Sequence, residues 1–190
     1  GNDATDGGSN PPSFTTGAVN GQPAVTFDGN NDQLDIGVSD IINLPGGDNT
    51  VYSVVANAST NIGQDQLVYG IADGGNNRNQ VVQSLYYESQ GRADFGARGG
   101  VNNNDFADVN LASQGVGDFN VVGSILQGTT ITVRANAAIG TNADVQPSTG
   151  DRAFLGEAVN NNEFGGDLPE FFAYSTALND VQTVIVENYL

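Results

Sequence analysis

Short runs of alternating apolar and polar residues, each closed by a cluster of Gly, Asn or Asp, recur along almost the whole chain. No other feature constrains the fold as much. A period of two sends successive side chains to opposite faces, so each run reads as a strand with one wet face. Ala24–Phe27 ends in the turn Asp28-Gly29-Asn30-Asn31-Asp32, after which Leu34 and Ile36 alternate with Gln33 and Asp35. Thr50–Ala56 is β-branched and follows Gly46-Gly47-Asp48-Asn49. Gln66–Ile71, Val81–Tyr87, Ala93–Arg98 and Ala153–Gly156 are further runs. Phe119–Leu126 and Thr129–Ala135 read as a hairpin about Gln127-Gly128. Roughly eleven short strands at this spacing, with no fixed period of the kind a repeat solenoid shows, predict an antiparallel sandwich.

The chain closes differently. From Gly165 it reads as a turn, a strand over Leu168–Tyr174, a second turn, and a short amphipathic helix from about Val181 to Tyr189. Asn179-Asp180 supplies the cap, and Val181, Val184, Ile185 and Leu190 have helical spacing. Gly1–Pro12 is polar, ends in Pro11-Pro12, and reads as an extended arm. There is no internal repeat and no linker, so residues 1–190 are expected to form one all-β domain.

Composition narrows the chemistry. Gly (26) and Asn (24) are dense enough to make a turn the first explanation of any Asn-Gly-Asp cluster. The net charge is −17, from 22 acids and five Arg, with no Lys. Such a chain repels phosphate backbones and anionic bilayers, which argues against nucleic-acid and membrane partners. The acids are mostly Asp, which suits either calcium sites or a solvating surface. With no Cys and no His, disulfide frameworks, thiolate metal sites and Ser-His-Asp or Cys-His catalysis are excluded within the chain. No apolar run is long enough to span a bilayer as a helix. The first residue is Gly rather than Met, which is expected of a processed, secreted chain or of a fragment.

Four segments, in order, resemble the laminin-G-like family of concanavalin A-like jelly rolls, including its pentraxin-like members. They are Asn20-Gly21-Gln22-Pro23-Ala24-Val25-Thr26-Phe27-Asp28-Gly29-Asn30-Asn31-Asp32, Asn49–Val55, the hairpin from Phe119 to Asn136, and the closing segment from Gly165. The resemblance covers about Asn10 to Leu190. It implies a jelly-roll sandwich of two antiparallel sheets with a short C-terminal helix, commonly an extracellular binding or adhesion module. It also implies that Gly1 falls inside a family motif whose preceding strand is absent, leaving an uncovered N-terminal edge through which copies could associate. Pro169 departs from the family pattern and predicts a bulge or an edge at that point. In pentraxin-like relatives a calcium ion sits between two loops that correspond here to Asp73–Asn79 and Glu157–Glu163. The resemblance therefore assigns Asp73, Asn79, Glu157, Asn160 and Glu163 as candidate calcium ligands, although the same carboxamides serve equally as turn formers.

Three function classes remain, and they need different things. A jelly-roll glycanase needs a carboxylate pair across a cleft, ~5–5.5 Å apart for retention. Glu163, Asp167 and Glu170 are spaced four and three apart, which on a regular strand places them on different faces, and no Trp is available to stack on a sugar. Enzyme activity is not expected. A binding module needs a polar face with aromatic anchors. Tyr69, Tyr86 and Tyr87 lie on neighbouring predicted strands near Arg78, Arg92 and Arg98. Asn77, Arg78, Tyr86, Tyr87, Arg98 and Asn103 are the candidate contacts to a glycan or another extracellular surface ligand, against the alternative that the tyrosines are half-buried with wet hydroxyls. The third class is a structural subunit of a self-assembling extracellular filament, surface layer or particle.

Overall fold

The computed structural model describes residues 5–6, 11–36, 47–57, 65–72, 81–87, 95–100, 102, 104–111, 117–147, 150, 152–156 and 163–190, with backbone only for 6, 57 and 81–87. Among them are fourteen strands in two seven-stranded antiparallel sheets. The first sheet runs, side by side, β1 (Thr5–Asp6), β4 (Leu34–Asp35), β13 (Arg152–Leu155), β6 (Gln66–Ala72), β7 (Val81–Tyr87), β8 (Phe95–Arg98) and β9 (Phe106–Val109). The second runs β12 (Ala138–Asn142), β11 (Thr130–Ala135), β10 (Phe119–Gln127), β5 (Asn49–Asn57), β14 (Gly165–Tyr174), β3 (Gln22–Asp28) and β2 (Ser13–Val19). One helix, α1 (Asp180–Tyr189), follows. This is the expected all-β sandwich with a short C-terminal helix.

The alternation read from sequence is the alternation that builds the core. Ile131, Val133 and Ala135 of β11 point inward and are fully buried, while Thr130, Thr132 and Arg134 between them are half-buried on the outer face. Val51 and Val55 of β5 and Val122 and Leu126 of β10 meet Tyr69, Ile71, Phe95, Ala97 and Val109 of the first sheet in one cluster. The sandwich is closed along one side, where β12 meets β9. A Cβ on Gly140 would lie 1.9 Å from the Asp108 carbonyl oxygen, so only glycine permits that approach.

The turns follow their chemistry. Asn20-Gly21 joins β2 to β3 with both φ positive (48° and 82°), the type I′ pattern that matches strand twist. Asn136-Ala137 does the same between β11 and β12 (45° and 71°). There Asn136 Oδ1 accepts from Val121 N at 2.9 Å. The β10–β11 hairpin turns at Gly128-Thr129, one residue later than expected, with Gln127 paired to Thr130. Two glycines sit under aromatic rings across a strand pair. Gly70 is paired to Phe154 and Gly123 to Tyr52, and a Cβ on either would lie 2.5 Å from the ring.

Several expectations change. Four strands were missing from the sequence reading: β1, β2, β9 and β12. Thr5–Asp6, inside the expected N-terminal arm, pairs with β4 at the edge of the first sheet. Pro169 does mark a bulge. The pairing of β14 with β5 slips by one residue between Asp167 and Glu170. Asp167 pairs with Ala56 and Glu170 with Val54, so the slip brings both carboxylates to one face of the second sheet rather than to opposite faces. The apolar stripe of α1 is also reversed. Val181, Val184 and Ile185 are 70, 51 and 64% exposed, and it is Thr183 that is buried.

Candidate functional site

The outer face of the second sheet carries α1, tied to it by a charged hydrogen-bond network while Val181, Val184 and Ile185 stay exposed. Asn179 caps the helix in a reciprocal box with Gln182, and Thr183 packs inward one residue later. One turn on, Glu187 receives three hydrogen bonds. Arg134 donates from Nε to Oε1 at 2.6 Å and from Nη2 to Oε2 at 3.0 Å, and the Tyr52 hydroxyl donates to Oε1 at 3.0 Å. The bidentate pair with Arg134 holds the Glu187 carboxyl below the ordinary carboxylate range. The same pair raises Arg134 further, and burial, with the Glu187 charge, raises the Tyr52 phenol. Phe172 meets Tyr189 edge to face at 5.9 Å. Towards β3 and β2, Asp167 accepts from Thr26 Oγ1 at 2.6 Å, and Thr26 meets Thr15 at 2.7 Å.

The outer face of the first sheet divides in two. Over β13 and β6 it is sealed: Phe154, Leu67 and Ala72 form a small buried cluster. Arg152 lies 5.6 Å above the Phe154 ring and donates to Asp35 at 3.2 Å. Over β8 and β9 the face is more open. Ala97, Ala107 and Val109 point into the core, which turns Arg98, Phe106 and Asp108 outward. Arg98 and Phe106 are direct cross-strand partners, both half-buried, and Asp108 is exposed. Such a pair sets a guanidinium beside an aromatic ring, close enough for both to touch one small ligand.

The loop beside this pair is built on Asp105, a carboxylate 2% exposed. Its Oδ2 accepts from the Asn102 backbone and side-chain nitrogens at 3.0 Å each. Its backbone carbonyl accepts from Gly99 N at 2.9 Å. Arg98 Nη2 donates to the Asn102 carbonyl at 3.3 Å, so the loop and the arginine position each other. From the far side Asn142 Nδ2 donates to the carbonyls of Asn104 (2.6 Å) and Phe106 (2.9 Å), fixing the start of β9.

Of the candidate ligand contacts, Arg98 stands on this open face. Register places Ser84 between Gly70 and Arg98, and Tyr86 between Leu67 and Gly96, in the rows that cross the outer-face positions. Tyr87 pairs with Gln66 and with Phe95, a core position. Tyr69, grouped with them in the sequence reading, is fully buried beside Phe171. Asn77, Arg78 and Asn103 lie outside the described residues, as do Asp73, Asn79, Glu157 and Asn160 of the expected calcium set. Glu163 is described: its backbone bridges Leu67 in parallel and its side chain is half-buried. Among the described residues no three acids stand close enough to hold a metal ion. Phe106, Asn102 and Asp105 are not among the sequence candidates because β9 is not apparent from the sequence reading. The alternation Phe106-Ala107-Asp108-Val109 was the signal that would have found it.

No protein-family model matches the chain, and no curated protein matches it. Solved structures do. The CBM40 carbohydrate-binding module of a Ruminococcus gnavus IT-sialidase, bound to α2,3-sialyllactose, superposes with a TM-score of 0.64 at 14% identity, covering 86% of this chain and 95% of that one. The binding domain of Paraclostridial Mosquitocidal Protein 1 gives 0.72 at 13% identity, covering 100% of this chain and 48% of that domain. Trypanosoma rangeli sialidase gives 0.62 at 12% identity, and the chain spans 26% of its length. At these identities the likeness is one of fold: an antiparallel β-sandwich of the jelly-roll kind.

Proposed function

We propose that the chain is a non-catalytic, extracellular glycan-binding module whose binding face is the β8–β9 end of the first sheet. The observation that carries this reading is Arg98 standing beside Phe106, braced by the Asp105 loop. Sugars are held by an aromatic surface under a ring and by charged donors at its hydroxyl or carboxylate groups. The second sheet gives up part of its own outer face to α1, which leaves the first sheet the better platform. The likeness to a module that binds α2,3-sialyllactose supports a glycan as the ligand class. In a chain of net charge −17 an acidic sugar needs a local cation, and Arg98 supplies one.

The test is calorimetric titration of the protein with α2,3-sialyllactose and with lactose, repeated for Arg98→Ala and Phe106→Ala. Binding is expected to weaken at least tenfold in Arg98→Ala, the loss of one charged hydrogen-bonding partner. Binding by neither sugar, or binding that Arg98→Ala leaves unchanged, overturns the assignment. Asp167 and Glu170 share a face, so turnover of the bound glycan that is lost in Glu170→Gln would overturn the non-catalytic part.

A further inference from the structure

We infer that β2 is a self-association edge, and that its occupant is the β2 strand of a second copy of this chain, laid antiparallel to extend the second sheet. A sandwich of two open sheets has four edges. On one side β12 and β9 seal each other, at the contact that Gly140 permits against Asp108. On the other, the first sheet ends in β1, two residues long and carrying Asp6. β2 is seven residues long, lies at the end of the second sheet, and is exposed from Ser13 to Gly17. Phe14 on it is 69% exposed.

Natural edges are usually blunted by charge, by Pro or by a bulge. Here charge is missing where the chain has most reason to carry it: between Asp6 and Asp28 no residue is charged, in a protein with 22 acids. The whole of β2 and most of the β3 strand behind it are therefore neutral. Two copies at −17 repel, and β2 itself adds no charge to that repulsion. The blunting devices that are present are partial: Pro11-Pro12 precedes the strand and an irregularity follows it. Gly17 has φ +73°, and the β2–β3 register slips between Thr15 and Val19. That leaves Ser13–Thr15 as regular edge, with Phe14 at its centre. Pairing about a two-fold axis at this point sets Phe14 against Phe14 of the other copy and satisfies the outward backbone groups of both strands with each other. A segment this short makes a small interface, so the dimer is weak and forms at high protein concentration once salt screens the remaining repulsion.

Sedimentation equilibrium at millimolar protein in 0.1 M and 1 M NaCl tests this, with Phe14→Lys as the variant. The expected result is a mass that rises from 19.6 kDa toward twice that value in 1 M salt, and stays at the monomer value in Phe14→Lys. Hydrogen exchange at fixed high salt is the second measurement, and it does not depend on the variant folding. The Ser13–Thr15 amides are expected to exchange more slowly at high protein concentration than on dilution. A monomer under every condition overturns the inference. So does a dimer that survives Phe14→Lys, or one whose concentration-dependent protection falls on the apolar stripe of α1 instead of on β2.

Discussion

At the scale of single residues, Tyr69 is held by packing rather than by a hydrogen bond. Tyr69 is one tyrosine among six, on a strand whose register slips between Leu67 and Tyr69, so its facing does not follow from counting along β6. The slip turns it inward against Phe171, 5.4 Å between ring centroids, and its hydroxyl finds no hydrogen-bond partner among the described residues. Burial alone pushes its phenol far above the ordinary tyrosine value. A desolvated hydroxyl with no partner costs about 1–3 kcal/mol, and removing it relieves that cost while leaving the ring packed. Tyr69→Phe is therefore expected to raise the melting temperature by roughly 2–4 °C per kcal/mol gained in a chain of this size. Scanning calorimetry checks it; a fall of that size would mean that the hydroxyl has a partner in solution, such as a buried water.

At the scale of elements, legibility tracked how far one physical term dominated. Strands with one buried face, such as β11, announce themselves by alternation. β2 does not, because its residues are exposed on both faces and no alternation is selected. The β14 bulge was signalled by Pro169, but its effect on Asp167 and Glu170 was not, since an inserted residue changes the period that the counting assumed. The candidate face was legible only through Arg98, because its neighbours come from a four-residue strand and a loop held by one buried carboxylate. Helix α1 was placed to within a residue by its cap, yet its facing was misread. Periodicity assumes that apolar burial seats a helix, and here Arg134, Glu187 and Tyr52 help to seat it. The consequence is a pH-dependent dock. Because Arg134 lowers the Glu187 pKa in the folded state, the stabilisation is complete above the unfolded value of ~4.3 and is lost as pH falls through the folded value. In urea titrations at pH 7, Glu187→Gln is expected to cost about 2 kcal/mol. The gap between variant and native protein should narrow as the pH drops below ~4. A gap that persists unchanged at pH 3 would show that the carboxylate charge is not what holds the helix.

At the scale of the whole molecule, charge sets one more balance. Seventeen uncompensated negative charges repel within 190 residues, and this opposes the compact state at every pH where the carboxylates are ionised. Ion pairs among the described residues act the other way under salt. Arg152–Asp35 has side chains 29 and 36% exposed, the kind of surface pair worth ~0–1 kcal/mol. Arg134–Glu187, at 14 and 18% exposed, is screened less because water and ions reach it less. Repulsion spread over the exposed surface is the term that salt reaches most fully. As the Debye length shrinks from ~10 Å at 0.1 M to ~3 Å at 1 M, the repulsion collapses while the inner ion pair largely survives. The melting temperature is therefore expected to rise with NaCl at neutral pH, and to rise much less at pH 4, where many of the carboxylates are already neutral. Sodium chloride is the salt to use, because sulfate strengthens apolar burial by exclusion and would raise the melting temperature for a different reason. The β2 dimer must be kept out of this comparison, since association also raises apparent stability by mass action. Running the series on Phe14→Lys, or at low micromolar protein, separates the two. A melting temperature that falls with NaCl under those conditions would mean that attractive ion pairs outweigh the repulsion of the acidic surface.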